Sequence, residues 1–425
     1  MMCCGCPGAF EETLHYSSPA HGGWGVVRMG HLMPESYQLF VSPAACGRHG
    51  AVSACMQGRK NRGSYLYLSE DDIVSGGYED LLLEAVDGLL EHLARAHRLP
   101  KVLMIFVSCI DDLLGTDHDA LLSLLRERHP DLRFTFCHMN PTSMDTGVPP
   151  PVNIRNKLYG LLELQEARDN GINLIGSLVP LSPEGELFHL LPQMGVEPLR
   201  HITDYNTFDA FQQMARSQWN LVVHPQGEYA ARQMAKRLGI PFLVSLTTYA
   251  PEEVTAAYRA ISQALDRDCP ETAGEEAESE ASLARARDCL GGMPVVIDGE
   301  AVARPFAFAR ALLERGFHVR RMLVQKVIPS DRDSFDRVRE QWPELELVQP
   351  QHHRSSCYRQ DLLPDCLAIG YHSGYHTGSR HIVALDGQSG HWGYHGIREI
   401  ARLMSEASRQ ESDLKALITA AGLVV

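Results

Sequence analysis

The chain has 425 residues, 44% hydrophobic and 22% charged, with 53 acidic against 39 basic side chains for a net charge of -14. That length provides for roughly two or three domains with ample core. The acidic balance argues against a general nucleic-acid or membrane-surface role, and no apolar stretch approaches the roughly 20 residues needed to cross a bilayer. The opening MMCCGCPGAFEE has neither the basic nor the apolar segment of a secretory signal. Eleven cysteines without a small secreted framework point to a reducing compartment, and the cytoplasm is the expected location.

Residues 1–36 are rich in Gly, Pro, His and Cys and carry no pattern for a long helix. From Tyr37 a repeating pattern begins. Tyr37–Val41 and Ser64–Leu68 read as strands, and Glu79–Ala96 as a helix with Leu81, Leu82, Ala85, Leu89 and Leu93 on one face. Lys101–Ser108 reads as a buried strand, His118–Arg128 as a helix, Leu132–Cys137 as a strand, and Asn156–Asn170 as the helix closing a first domain over 37–170. A second domain, 171–268, carries strands at Ile172–Leu178, Leu199–Thr203, Trp219–Val223 and Pro241–Val244. Its helices are Glu184–Met194, Thr207–Gln213, Glu228–Leu238 and Pro251–Leu265. The Ala/Glu-rich stretch 269–289 reads as either a solvated helix or an acidic linker, and a linker at a domain boundary is expected. A third domain, 290–425, has strands at Pro294–Asp298, Val319–Val324, Leu345–Gln349, Cys366–Tyr371 and Ile382–Leu385, with helices between them and a last one at Ile397–Arg409. Strands alternating with helices on this spacing predict an α/β chain of parallel sheets covered on both faces.

Cys46 lies in AACGRHG, expected as a tight turn, and Cys109 follows KVLMIFVS and opens CIDDLLGTD. Open α/β sheets place their ligands at the carboxyl ends of strands. Two thiols delivered there are candidate metal or cluster ligands; the alternative is packing, since a free cysteine behaves as a small hydrophobe. Two thiols alone do not complete a four-ligand cluster. The N-terminal CCGC, with Cys4 and Cys6, has a spacing suited to a metal or to an exposed redox dithiol. Cys55, Cys269, Cys289 and Cys366 read as packing.

The last third holds His352, His353, His372, His376, His381, His391 and His395. His372 and His376 are four apart in GYHSGYHTGSRH, but its glycines predict a loop rather than a zinc-binding helix. DGQSGHWGYHG, with His391 and His395, precedes a helix whose free N–H groups could face an anionic ligand; the alternative is a solvent loop. There is no GxxxxGK[ST], GxGxxG after a strand, GxSxG or HExxH, so a nucleotide-driven step would need energy from another protein.

Taken in order, these pieces resemble the nitrogenase component 1 superfamily, which includes the molybdenum–iron protein subunits and their tetrapyrrole-reducing relatives. HGGWGVVRMG and FVSPAACGRHGA resemble its entry segment and glycine-flanked cluster cysteine. LSEDDIVSGGYEDLLLEAV and KVLMIFVSCIDDLLGTD resemble the loop and helix that follow and the strand ending in the next cluster cysteine, 63 residues after Cys46. WNLVVHPQGEYAARQMAKRLGIPFL and GHWGYHGIREIARLM resemble later segments, so the likeness spans roughly residues 20 to 405.

The resemblance implies three Rossmann-like domains, and it makes Cys46 and Cys109 iron–sulfur ligands. The family's further upstream cysteine is missing near Ala20 and His21. Cys4 or Cys6 could reach in, His21 could substitute, or a symmetric homodimer could hold one [4Fe-4S] cluster with two thiolates from each chain. Val223 stands where nitrogenase anchors its large cluster through a thiolate. His224 is its neighbour, and His381 is the histidine nearest the family's cofactor-binding one. Dinitrogen reduction is therefore not expected. The implied function is an oxidoreductase subunit fed by an ATP-dependent iron-protein partner, as a homodimer or a heterodimer with a related subunit. Its interdomain cavity would be lined by His224, His372, His376, His391 and His395, and would hold a second metal or a tetrapyrrole. A rival reading is a scaffold that assembles a metallocofactor for another enzyme.

Overall fold

The computed structural model describes residues 10–11, 25–56, 58–140, 147–353, 362–387 and 390–422. Among these residues thirteen strands form three sheets in which every pairing is parallel. The first holds β1 (Ser36–Ser42), β2 (Gly63–Tyr67), β3 (Val102–Val107) and β4 (Arg133–His138) in the order β2-β1-β3-β4. The second holds β5 (Ile172–Ile175), β6 (Leu199–His201), β7 (Trp219–Val222) and β8 (Phe242–Val244) in the order β6-β5-β7-β8. The third holds β9 (Val295–Asp298), β10 (Val319–Leu323), β11 (Glu346–Val348), β12 (Leu367–Ile369) and β13 (His381–Val383) in the order β11-β10-β9-β12-β13. Each sheet runs outward from its first strand, then returns to that strand's other side. The winding direction therefore reverses between β1 and β3, β5 and β7, and β9 and β12, and ligands of open α/β sheets sit at such points.

The central strands are continuous apolar runs because both faces are covered: all six residues of β3 are buried. One face of the first sheet packs Leu39, Leu103 and Ile105 against Leu82, Val86 and Leu90 of the helix Tyr78–Arg95. Its other face, with Phe40, Met104 and Phe106, shares a core with Ile175 and Val222 of the second sheet. Leu174 and Leu221, on the opposite face of that sheet, share a core with Val295 and Ile297 of the third.

Four expectations change. Cys46 lies on the helix Ala44–Met56 rather than in a tight turn. The helix expected at 156–170 is Pro150–Gly160, because prolines fit the first helical turn and Pro149–Pro151 start it. Residues 371–377, expected as a loop, are a helix set between Gly370 and Gly378; Ser373 and Thr377 donate back to the carbonyls of Gly370 and Ser373 at 2.8 and 2.6 Å. The expected linker contains the helix Ala273–Leu290, which buries Leu283, Ala286 and Leu290 in the shared core.

A buried carboxylate ties the second unit to the third. Glu186, 1% exposed, accepts from the backbone N–H groups of Tyr394 and His395 at 2.9 and 3.0 Å and from the Tyr258 hydroxyl at 3.2 Å. Those N–H groups open the helix Gly393–Ala407, so the site anticipated for an external anion is filled by this side chain. Gly393, at φ +71°, is required there: a Cβ would overlap the Glu186 carboxylate. Trp392 Nε1 donates to Ser245 O at 2.9 Å across the same seam. His224 is buried beside it, accepting from Gln226 N at Nδ1 (3.2 Å) and bonding the Gly387 backbone. Burial, then the Arg155 charge, lowers its pKa to about 3.

Two outcomes follow. Glu186→Ala leaves two buried N–H groups without an acceptor and should cost about 2–4 kcal/mol, with Glu186→Gln recovering part of it, measured by thermal and urea unfolding. His224 is neutral when folded and takes up a proton on unfolding, so its contribution is intact above about pH 6.5 and drains away toward pH 3. His224→Gln should flatten the fall in stability by about 1.4 kcal/mol per pH unit between those limits; an unchanged slope would contradict the buried neutral ring.

Candidate functional site

At the first reversal point β1 and β3 run side by side with Val41 opposite Val107, so Ser42 and Ser108 leave the sheet together. Cys46 is the third residue of the helix that follows β1, and Cys109 the first residue of the short helix Cys109–Leu114 after β3. Cys46 is exposed and Cys109 partly so. Gly47 allows this close start: a Cβ there would meet the Tyr67 ring at 2.8 Å and Ser42 Oγ at 3.1 Å. The hydroxyls of Ser42 and Ser108 are buried and have no hydrogen-bond partner among the described residues. An unmade bond of this kind costs on the order of 1–3 kcal/mol. Two thiols flanked by two orphaned hydroxyls fit a metal–sulfur cluster that the protein alone does not supply. Cys4, Cys6 and His21 lie outside the described residues. Cys137, on the neighbouring strand, is fully buried, and burial pushes its thiol up to about 12.

Beyond Cys109 the structure gathers side chains that sequence reasoning missed. Asp111 is buried; its Oδ1 accepts from the Tyr78 hydroxyl at 2.6 Å, and its Oδ2 lies 2.6 Å from His118 Nε2. Burial raises the Asp111 pKa, but the bonds from His118 and Tyr78 outweigh it and leave the carboxyl below its ordinary value. His138, the last residue of β4, meets Asp112 Oδ1 at 2.9 Å through Nδ1, and its ring stands edge-on to His118 with centroids 4.6 Å apart. The available signal was that CIDDLLGTDH and RFTFCH both place ligand-type residues at the carboxyl ends of adjacent strands.

The second reversal point is closed. Gly176 and Gly227 pack backbone to backbone, and a Cβ on Gly227 would lie 2.6 Å from Gly176 Cα. Arg155, buried and pushed down to about 10 by desolvation, donates to Gly176 O at 2.9 Å. The third is closed on Asp298. This buried carboxylate accepts from Glu300 N at 2.8 Å and His372 N at 2.9 Å, and a Cβ on Gly370 would lie 2.5 Å from Asp298 Cβ. Burial pushes Asp298 up to about 6. For His372 burial opposes protonation, but the Glu300 and Asp298 carboxylates prevail and raise its pKa.

Between the second and third units lies a cavity of about 30 Å³, lined by Ser177, His224, Thr247, Tyr249 and His391 among others. It has room for roughly two water molecules, an order of magnitude less than a ligand pocket. Of the five histidines expected there, His224 and His391 line it and His372, His376 and His395 do not. His372 and His376 stack with centroids 6.2 Å apart on the helix Tyr371–Thr377, where burial lowers His376 to about 4. His395 contributes its backbone to Glu186. His224 spends both ring nitrogens on backbone groups. Among the described residues no cysteine lines the cavity, and a volume of about 30 Å³ admits neither a tetrapyrrole nor a large cluster as folded. Among the described residues no helix is long and apolar enough to cross a membrane.

Comparison with known proteins places this architecture. The family model for nitrogenase component 1 type oxidoreductase matches residues 22–408. The nitrogenase iron–molybdenum cofactor biosynthesis protein NifE of Clostridium pasteurianum is 24% identical over 247 residues, 54% of this chain and 50% of that protein. The chain thus spans about half the length of this curated relative. Two solved structures, nitrogenase Cp1 at pH 6.5 and at pH 5, superpose with TM-scores of 0.71 and 0.59 at 14% identity. They cover 94% and 95% of this chain, and 94% and 89% of theirs. At that identity the structures establish the fold, and the family model establishes membership: the chain belongs to the nitrogenase component 1 type oxidoreductases.

Proposed function

We propose that the chain is an electron-accepting subunit that holds an iron–sulfur cluster through Cys46 and Cys109. The observation that carries this reading is the position of both cysteines at the first reversal point, close in sequence to the buried Ser42 and Ser108 hydroxyls, which have no partner among the described residues. Exposure of Cys46 favours a cluster shared between two copies of the chain, two thiolates from each making the four ligands. Bound there, a [4Fe-4S] cluster would supply one-electron transfer. The protein's part is to present two thiolates at helix starts and to offer Ser42 and Ser108 as hydrogen-bond donors toward the cluster sulfurs, a lever on its potential. An ATP-dependent iron protein of the nitrogenase type is the proposed donor. Reduction of a substrate at the inner cavity would require a small molecule or an opening of the Glu186 seam.

A second reading, a cofactor-assembly scaffold, draws on the likeness to a cofactor biosynthesis protein. A cavity of about 30 Å³, with no thiol among the described residues that line it, argues against a large cluster as its cargo.

Anaerobically purified protein should contain iron and acid-labile sulfide. Cys46→Ala and Cys109→Ala should each lose at least four-fifths of both, whereas Cys137→Ala, which alters an inert buried thiol, should keep them. Equal iron in all four proteins would contradict the site. ATP-dependent reduction by an iron protein, followed by turnover, would separate an oxidoreductase from a scaffold.

A further inference from the structure

We infer that Asp111, His118 and His138 form a second metal site, for a single borderline divalent cation such as zinc, beside the proposed cluster ligands and independent of them. One ligand atom from each of the three lies within 4.8 Å of the other two. Two imidazoles and a carboxylate are the donor set of three-ligand zinc and ferrous sites that keep a position open for water. Asp111 is 1% exposed, so this is no solvated acidic patch, and His118 and His138 are only partly exposed.

The surroundings are those of a built site. Tyr78 donates to Asp111 Oδ1 at 2.6 Å, leaving Oδ2 directed at His118 Nε2. Asp112 holds His138 at Nδ1 from 2.9 Å, the carboxylate–histidine pairing that orients metal-bound imidazoles. Thr116 Oγ1 donates to Asp111 O at 3.2 Å and fixes the turn between Asp111 and His118. Three separate segments converge here: the short helix Cys109–Leu114 after β3, the first residue of the helix His118–Arg128 and the end of β4. A metal with bonds of about 2.0–2.1 Å needs ligand atoms about 3.3 Å apart. His118 Nε2 would retreat by about 0.7 Å from its 2.6 Å contact with Asp111 Oδ2, within reach of a side-chain rotation, as the metal replaced the shared proton. The cation would clamp the ends of β3 and β4 and stiffen the short helix that begins at Cys109.

The test uses the full chain carrying Cys46→Ala and Cys109→Ala, so that the outcome does not depend on the cluster. Metal-stripped protein is titrated with Zn²⁺ against a chromophoric chelator, and with Co²⁺ followed by its visible absorption. This background should bind one more equivalent than the same protein carrying His118→Ala and His138→Ala. Zinc should also raise the melting temperature of the background by several degrees and leave that of the histidine variant unmoved. His138→Asn alone, which keeps the Tyr78–Asp111–His118 contacts, should weaken the extra equivalent at least 100-fold with an unchanged circular dichroism spectrum. Equal stoichiometry and affinity in the background and in His138→Asn would overturn the site and leave a hydrogen-bonded network in its place.

Discussion

Parallel pairing of each sheet's first strand with the strand that starts its return, β1 with β3, β5 with β7 and β9 with β12, is the constraint from which the rest of the molecule follows. It puts all carboxyl ends of a sheet on one edge and opens a crevice where the winding reverses. The three crevices meet different fates. At the second, Gly176 and Gly227 let two backbones touch and nothing else enters. At the third, Asp298 binds the N–H groups of Glu300 and His372 under Gly370. At the first, the buried Ser42 and Ser108 hydroxyls find no partner among the described residues and the chain delivers Cys46 and Cys109.

The Glu186 seam works the opposite way. A carboxylate brought from the second unit neutralises the positive end of the helix Gly393–Ala407, and Gly393 exists to let it in. The backbone donors that would otherwise grip an anion are spent on holding two units together, and the cavity between those units is only about 30 Å³. An inner reaction chamber, if used, depends on loosening this contact; the thiols on the first unit do not.

The architecture was legible because parallel strands write themselves plainly. VLMIFV can be little but a strand covered on both faces, and its neighbours share the pattern. Cys46 and Cys109 were legible for the same reason, as residues just past such runs. Local misreadings came from glycine and proline. AACGRHG has a turn's composition, but Gly47 serves close packing under Tyr67 within a helix. Gly374 likewise packs against Ile382 inside a helix rather than freeing a loop. Contacts distant in sequence were not legible at all. Glu186 meets partners more than 200 residues away, and His138 meets Asp112 only because β4 pairs with β3. The histidine-rich last third drew attention by number, whereas the histidines that converge with a carboxylate lie in the first sheet.

The central claim is that Cys46 and Cys109 of two copies together hold one cluster. Native mass spectrometry of the anaerobically purified protein tests it most directly. The account predicts a species of two chains carrying four iron and four sulfide, which falls to bare single chains when Cys46 is replaced by alanine. A single chain retaining a full cluster, or a dimer with no iron whose mass is unaffected by the substitution, would contradict it.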